Sequence, residues 1–90
     1  MGVALLKIKL MPTSPDVNLE EIKESAKKVV ENGEGKKCRF EEEPIAFGLK
    51  AVMVFFEIDE ETELEPIEEG LRKIQNVNSV QVVDMRRAFG

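Results

Sequence analysis

The sequence contains no histidine, tryptophan or tyrosine, and Cys38 is its only cysteine. The absence of histidine excludes the most common general base and the usual nitrogen ligand of zinc sites. A single cysteine cannot close an internal disulfide, and Cys38 lies in an alternating apolar pattern that predicts a reduced residue on the buried side of a strand. We therefore expect neither histidine-based catalysis nor a histidine-based metal centre, and no cofactor.

Long apolar runs and a net positive charge are also missing. No apolar segment approaches 18 residues, and the start of the chain lacks the charged, apolar and cleavable regions of a signal peptide. The net charge of −5 argues against a partner bound through its phosphates, so we predict no direct contact with nucleic acid and none with a membrane. The 90 residues, 42% of them hydrophobic, predict one cytoplasmic domain over residues 1–90.

Hydrophobic spacing divides the chain into six elements. Two-residue alternation predicts four strands, over Val3–Met11, Lys37–Glu41, Leu49–Ile58 and Val77–Met85. Spacing of three and four residues predicts two helices, from Asn18 to Gly33 and from near Thr62 to Asn76. With right-handed crossovers, this order predicts an α+β, ferredoxin-like βαββαβ sandwich, in which two helices cover one face of a four-stranded antiparallel sheet.

The two faces of the predicted sheet differ in character. Even-numbered strand residues such as Leu6 and Val54 face the helices and form the core. The odd-numbered apolar residues face outward, and they are Val3, Leu5, Ala51, Met53, Phe55, Val83 and Met85. Lys7, Lys9, Arg39 and Glu57 surround them. Two interpretations stay open: a surface for a partner or for self-association, or ordinary exposed strand residues.

Other chemistries are poorly supported by the sequence. The acidic runs Glu41–Glu43 and Asp59–Glu61 fall in predicted turns and lack the spacing of a calcium loop, so solvated charge is the favoured interpretation and no metal site is predicted. Phe47 and Phe55 are faintly similar to the aromatic strand of an RNA-recognition motif. The first strand, Leu5–Lys9, carries no aromatic residue for base stacking, which argues against RNA binding.

Phe47 lies in the predicted turn between the second and third strands. Pro44 and Ile45 precede it and Gly48 follows it, so the turn is short and partly rigid. An aromatic residue in such a turn is predicted to be exposed, where it can contact a partner. The alternative is a ring folded back over the end of the core.

Three segments together resemble the archaeal-type elongation factor 1-beta family, namely Glu43–Ala51, Ile8–Pro12 and Val80–Arg87. The resemblance extends over the whole chain, and the Pro-Ile-Ala-Phe-Gly turn is its most specific part. It implies the same ferredoxin-like fold and a non-enzymatic function in translation. That function is exchange of GDP for GTP on the GDP-bound GTPase elongation factor 1-alpha.

The resemblance also implies roles for particular residues. Phe47 takes the position of an aromatic residue that inserts into the GTPase, within the turn formed by Pro44, Ile45 and Gly48. Arg87, next to Arg86, lies near a C-terminal lysine of eukaryotic relatives that opposes the bound Mg²⁺. A guanidinium keeps the charge but is larger and planar. The alternative is a solvated pair of arginines.

The position of the arginines follows from strand direction. We expect the segment Met85–Phe89 to leave the fourth strand, and Phe47 and the Arg86–Arg87 pair to lie at opposite ends of the sheet unless that segment turns back. Two other functions stay open at this point: a small-molecule-sensing regulatory domain of the ACT type, which shares this fold, and an adaptor that binds a protein without changing nucleotide release.

Overall fold

The computed structural model describes residues 2–88 in full and the backbone of Phe89. This region contains four strands, β1 Gly2–Pro12, β2 Lys36–Pro44, β3 Lys50–Asp59 and β4 Val77–Phe89. It also contains the helices α1 Leu19–Asn32 and α2 Glu65–Arg72, and a single 3₁₀ turn, Ala46–Gly48, joins β2 to β3. The described region measures 42 × 21 × 17 Å.

The strands form one sheet in the order β2-β3-β1-β4, and every neighbouring pair is antiparallel. Both helices pack on one face of this sheet. The predicted α+β, ferredoxin-like sandwich is therefore confirmed. Neither helix within residues 2–89 is long and apolar enough to span a bilayer.

The core lies between the sheet and the helices, as the strand parity predicts. Its strand residues are Ala4, Leu6, Ile8, Leu10, Val52, Val54, Phe56 and Ile58, and its helix residues are Ile22, Ala26, Val30, Ile67 and Leu71. Each large aliphatic side chain buried here stabilises the fold by about 1.5–3 kcal/mol relative to exposure. Cys38 packs at the margin of this core, and burial raises the pKa of its thiol.

The helix ends follow local chemistry. The side chain of Asn18 accepts a hydrogen bond from the backbone N–H of Glu20 at 3.0 Å, and Gly33 ends α1, as predicted. Helix α2 is shorter than the predicted span from Thr62 to Asn76. Pro66 lies in its first turn, and Asn76 has a positive φ of 71° that no helix continues through.

Strand β2 is longer than predicted and contains Glu41–Glu43, which we expected in a turn. Glu42 pairs with Val52 and Glu43 with Ala51, so the ladder continues to Pro44. Backbone pairing with β3 outweighs the weak strand preference of glutamate, because β2 is an edge strand whose charged side chains reach water.

Strand β4 contradicts the prediction that Met85 lies on the open face. Lys7 pairs with Asp84 and Ile8 with Val82, which leaves Val83 as a β-bulge. The bulge reverses the parity beyond it, so Met85 lies opposite Leu6 on the helix side of the sheet and not on the open face.

The segment Met85–Phe89 also stays in the sheet instead of leaving it. Strand β1 begins at Gly2, and its backbone groups offer hydrogen-bond partners to β4 as far as the pair Gly2–Phe89. The fourth strand is consequently 13 residues long, longer than the predicted span of Val77–Met85.

Candidate functional site

Phe47 is the most exposed large hydrophobic residue in the described part of the chain. Its side chain is 94% exposed, compared with 56% for Met85 and 39% for Leu5. The ring does not fold back over the core, so the predicted exposure is confirmed. Placing an apolar ring in water is unfavourable, and such exposure commonly marks an interaction site when other features support one.

The backbone of the Phe47 turn is unusual as well. Phe47 has φ 63° and ψ 30°, and Gly48 follows with φ 77°. The left-handed region costs a residue other than glycine about 1–2 kcal/mol, and a bulky residue there is an outlier. Two backbone hydrogen bonds hold the turn, from Ile45 N–H to Leu49 O at 2.7 Å and from Leu49 N–H to Ala46 O at 3.3 Å. Strain held in this way is typical of binding sites.

The base of the turn is supported on both sides. Pro44 pairs with Lys50 as the last step of the β2–β3 ladder. On the other side, a Cβ built on Gly48 would lie 4.0 Å from the Cβ of Pro15, in the loop between β1 and α1. The ladder thus fixes the base of the turn, and the loop that contains Pro15 lies beside it.

An ion-pair cluster connects α1 to the strand that leads into the turn. The Nζ of Lys23 donates to Glu42 Oε2 at 2.7 Å and to Glu20 Oε2 at 2.9 Å. The hydrogen bond to Glu42 raises the pKa of Lys23, and the same bond lowers the pKa of Glu42. Because Glu42 lies two residues before Pro44, the pair braces the strand that carries Phe47.

Our sequence analysis missed this brace, although a signal for it exists. Glu42 has the even parity of the helix-facing strand residues, and Val52, its partner in the ladder, is fully buried. A carboxylate on the helix side of an edge strand needs a cation from the adjacent helix. Lys23 meets that need, whereas we interpreted Glu41–Glu43 only as solvated charge.

Arg86 and Arg87 lie at the other end of the sheet. Their side chains are 76% and 75% exposed, with Arg86 Nε 2.9 Å from Asp84 Oδ2 and Arg87 Nε 3.7 Å from Glu60 Oε1. Arg87 is in register with Ala4, and Ala4 with Ile58.

The distance between the two ends follows from strand geometry. The turn ends where β3 begins at Lys50, and the strand from Lys50 to Ile58 spans about 26 Å. The structure thus places Phe47 and the arginines at opposite ends, as expected from strand direction, and does not bring them into one site.

The open face of the sheet carries a smaller apolar patch than predicted. Ala51 and Met53 are buried, at 0% and 3% exposure. Met53 lies in register between Lys9 and Glu41, whose long side chains can cover it. Leu5 and the half-buried Phe55 therefore form the centre of what remains, together with Val3. Among the described residues, no group of three or more histidine, cysteine or acidic side chains is arranged to hold a metal ion.

Residues 5–88 match the protein family described as the EF-1 guanine nucleotide exchange domain. This chain belongs to that family. The match includes the Phe47 turn, the Lys23–Glu42 brace and both arginines. The resemblance found in the turn and in the last strand is thereby confirmed, and the exchange domain has a guanine nucleotide exchange role in translation elongation.

Archaeal relatives agree with this assignment. The exchange domain is 43% identical over 86 residues to "Elongation factor 1-beta" of Methanococcus maripaludis strain C5, covering 94% of this chain and 97% of that protein. It is 48% identical to the protein of the same name from Methanosarcina barkeri, and the match covers 97% of this chain and 99% of that protein. The corresponding protein of Methanocaldococcus jannaschii is 44% identical, and the match covers 98% of this chain and 100% of that protein.

A solved structure supports the fold alone. The exchange domain superposes with a TM-score of 0.68 on LarC2, the C-terminal domain of a cyclometallase involved in synthesis of the NPN cofactor of lactate racemase, in its apo form. The sequences are 10% identical, and the match covers 99% of this chain but 58% of that one. At this identity the similarity concerns architecture and not activity.

Proposed function

We propose that residues 1–90 act as one cytoplasmic exchange domain that accelerates the release of GDP from elongation factor 1-alpha. The domain makes and breaks no covalent bond, and it works without direct contact to nucleic acid or a membrane. The observation that carries this proposal is the 94% exposed Phe47 ring, held on a left-handed backbone at the end of the sheet.

Exchange of this kind is a matter of coupled binding. A nucleotide with nanomolar affinity is held by about 12 kcal/mol. The exchange domain and the nucleotide each weaken the binding of the other by the same coupling free energy. To accelerate release, the domain must stabilise a conformation of the GTPase in which the phosphate and Mg²⁺ contacts are disrupted.

Phe47 supplies the apolar part of that stabilisation. Burying a phenylalanine side chain is worth about 1.5–3 kcal/mol, and aromatic anchors are frequent among the residues that dominate interface energetics. The backbone beneath the ring needs little ordering before insertion, because Pro44 and the two hydrogen bonds of the turn already hold it, and the Lys23–Glu42 brace supports the strand before it.

Arg87 supplies a cation at a separate point of contact. Its proposed role, implied by the resemblance to eukaryotic relatives, is to oppose the Mg²⁺ of the GTPase, and the 75% exposure of Arg87 is compatible with contact by a partner. Because about 26 Å of strand separates the two ends, Phe47 and Arg87 act on different parts of the GTPase. Each contact should consequently fail independently of the other.

Release of fluorescent GDP from elongation factor 1-alpha tests the proposal. The wild-type domain should accelerate release, and Phe47→Ala should lower the maximal acceleration by about 100-fold, within the range for loss of one central anchor residue. Met85→Ala is the matched control, since Met85 is also an exposed apolar residue but lies at the opposite end.

Two outcomes would contradict the proposal. Full activity of the Phe47→Ala variant would remove Phe47 from the mechanism. Binding of the wild-type domain without any acceleration of release would instead indicate the adaptor alternative, and ligand-dependent dimerisation would indicate the ACT-type alternative.

A further inference from the structure

A second feature of the surface lies on the open face, away from the Phe47 turn. Phe55 on β3 is in register with Lys7 on β1 and with Arg39 on β2, so the three side chains form one row across the sheet. Both cations lie over the same ring. The Nζ of Lys7 is 5.5 Å and the Cζ of Arg39 is 5.7 Å from the ring centroid. We name this row the Phe55 row.

Asp84 is in register with Lys7 of the Phe55 row, but it pairs with Arg86 instead. Within the described part of the chain, neither Lys7 nor Arg39 forms an ion pair. Two carboxylates that register brings near the row pair with other cations, Glu57 with Lys37 at 3.5 Å and Asp84 with Arg86 at 2.9 Å. A locally positive spot therefore exists on a chain whose net charge is −5.

A shallow depression of about 540 Å³ adjoins the row. Leu5, Phe55 and Phe56 contribute apolar surface to its lining, and Arg39 contributes positive charge beside the paired Lys37 and Glu57. Leu5 is 39% exposed beside it. An apolar floor next to two unpaired cations is complementary to an apolar side chain that is followed or preceded by a carboxylate.

We propose that the Phe55 row docks an acidic, apolar segment of the same GTPase that receives Phe47. A carboxylate of that segment bridges Lys7 and Arg39, and a neighbouring apolar side chain rests on Leu5. This inference rests on the proposed function for the identity of the partner. It adds an affinity-determining surface to a mechanism in which Phe47 determines the maximal rate.

The chemistry of the face favours a protein segment over RNA. A base would have to stack on Phe55, but two cations already cover that ring. The first strand also offers no second aromatic residue for stacking on this face, since its residues there are Val3, Leu5, Lys7 and Lys9.

One partner can reach both surfaces. The strand from Ala51, next to the turn, to Phe55 spans about 13 Å. A standard protein interface buries about 800 Å² on each partner, which extends well beyond that distance. Docking at the Phe55 row and insertion of Phe47 are thus compatible in a single complex.

The first test separates affinity from maximal rate. In the GDP-release assay, the double variant Lys7→Gln/Arg39→Gln should raise the concentration for half-maximal acceleration by about tenfold and preserve the maximal rate. The control variant Lys27→Gln/Lys28→Gln changes the net charge equally at two exposed positions of α1 and should behave as wild type. Equal shifts in both variants, or none in the first, would overturn the docking proposal.

The second test identifies what lies on the row, and it does not depend on exchange activity. A zero-length carbodiimide should join Lys7 to an aspartate or glutamate of elongation factor 1-alpha, with Lys27 and Lys28 as unreactive references. Absence of that cross-link from a complex that binds would refute the proposal. So would tight binding of a single-stranded oligouridine, or a dimer of this chain, that the Lys7→Gln/Arg39→Gln variant abolishes.

Failure of the two proposals is distinguishable. If the wild-type domain binds but does not accelerate release, the exchange proposal fails while the Lys7 cross-link still supports docking. If acceleration is normal and the double variant is indistinguishable from the control, docking fails while the exchange proposal stands.

Discussion

The two ends of the sheet, which we propose as separate contacts with a partner, are built differently. At one end, Phe47 is apolar, almost fully exposed and held in a strained turn by hydrogen bonds and by the Lys23–Glu42 brace. At the other end, Arg86 and Arg87 extend from a regular strand and carry only exposed ion pairs. Exposed ion pairs are weak, so these arginines are free to change partners, whereas Phe47 keeps one geometry. The Phe47 end therefore offers a rigid backbone, and the Arg86–Arg87 end offers exposed positive charge.

The largest expected effect comes from a change that should improve the fold and remove the function. Phe47→Gly removes the strain of a left-handed backbone at a residue other than glycine, and it also removes an exposed apolar ring. The free energy of unfolding should therefore rise by about 1 kcal/mol. Exchange activity should fall by about 100-fold, since the anchor is gone. Thermal unfolding and GDP release measured on the same preparation check both directions.

The contrast between the two ends would be wrong if Phe47→Gly lowered both the free energy of unfolding and the exchange activity. That result would mean that the Phe47 side chain stabilises the fold and that its left-handed backbone does not serve binding. Met85→Gly, at the arginine end, provides the reference, because it removes an exposed apolar side chain without a positive φ.

A smaller effect is expected at the arginine end, and it should depend on Mg²⁺. Arg87→Ala should lower exchange about tenfold at millimolar Mg²⁺ and much less when Mg²⁺ is scarce, because a cation that opposes a metal matters most when the metal is bound. GDP release across a Mg²⁺ series measures this dependence. An effect that is the same at every Mg²⁺ concentration would assign Arg87 to docking alone.

The smallest effect concerns the brace. Lys23→Met should slow exchange by about two- to threefold, since an exposed ion pair contributes little but positions the strand beneath Phe47. The exchanged pair Lys23→Glu/Glu42→Lys should restore part of the rate. A merely structural role of Lys23 in α1 would show no such rescue.

The brace also predicts a pH dependence. The pKa of Glu42 is lowered, so its contribution to stability is present above the ordinary carboxyl pKa and is lost as the pH falls through the lowered value. The pKa of Lys23 is raised, so its contribution is lost only as the pH rises through that raised value. The stability difference between wild type and Lys23→Met should therefore shrink in acid, and a difference that persists at pH 2 would argue against the pair.

Strand parity and helical spacing were sufficient for the fold. Apolar residues such as Leu6, Val54 and Ile67 alternate or recur so regularly that each strand and helix has one apolar side, and these sides meet in the core. The exposure of Phe47 was predicted too, because Pro44 and Gly48 mark a short turn, although the sequence left open a ring folded back over the core.

Other features depend on tertiary contacts that spacing does not reveal. The bulge at Val83 reverses the parity of Met85, and nothing in the local sequence requires it. The left-handed conformation of Phe47 is enforced by the ladder on either side, since a phenylalanine alone would avoid it. The unpaired state of Lys7 and Arg39 follows from which carboxylates other cations engage.

The acidic residues of β2 should also limit aggregation of the molecule at high concentration. An unpaired edge strand and an exposed aromatic ring are each hazards that favour aggregation, and here they are neighbours. Glu41, Glu42 and Glu43 place three carboxylates along that edge, directly before the turn. Two copies that approached edge to edge would bring these charges together, so the bare ring can be displayed without joining one sheet to the next.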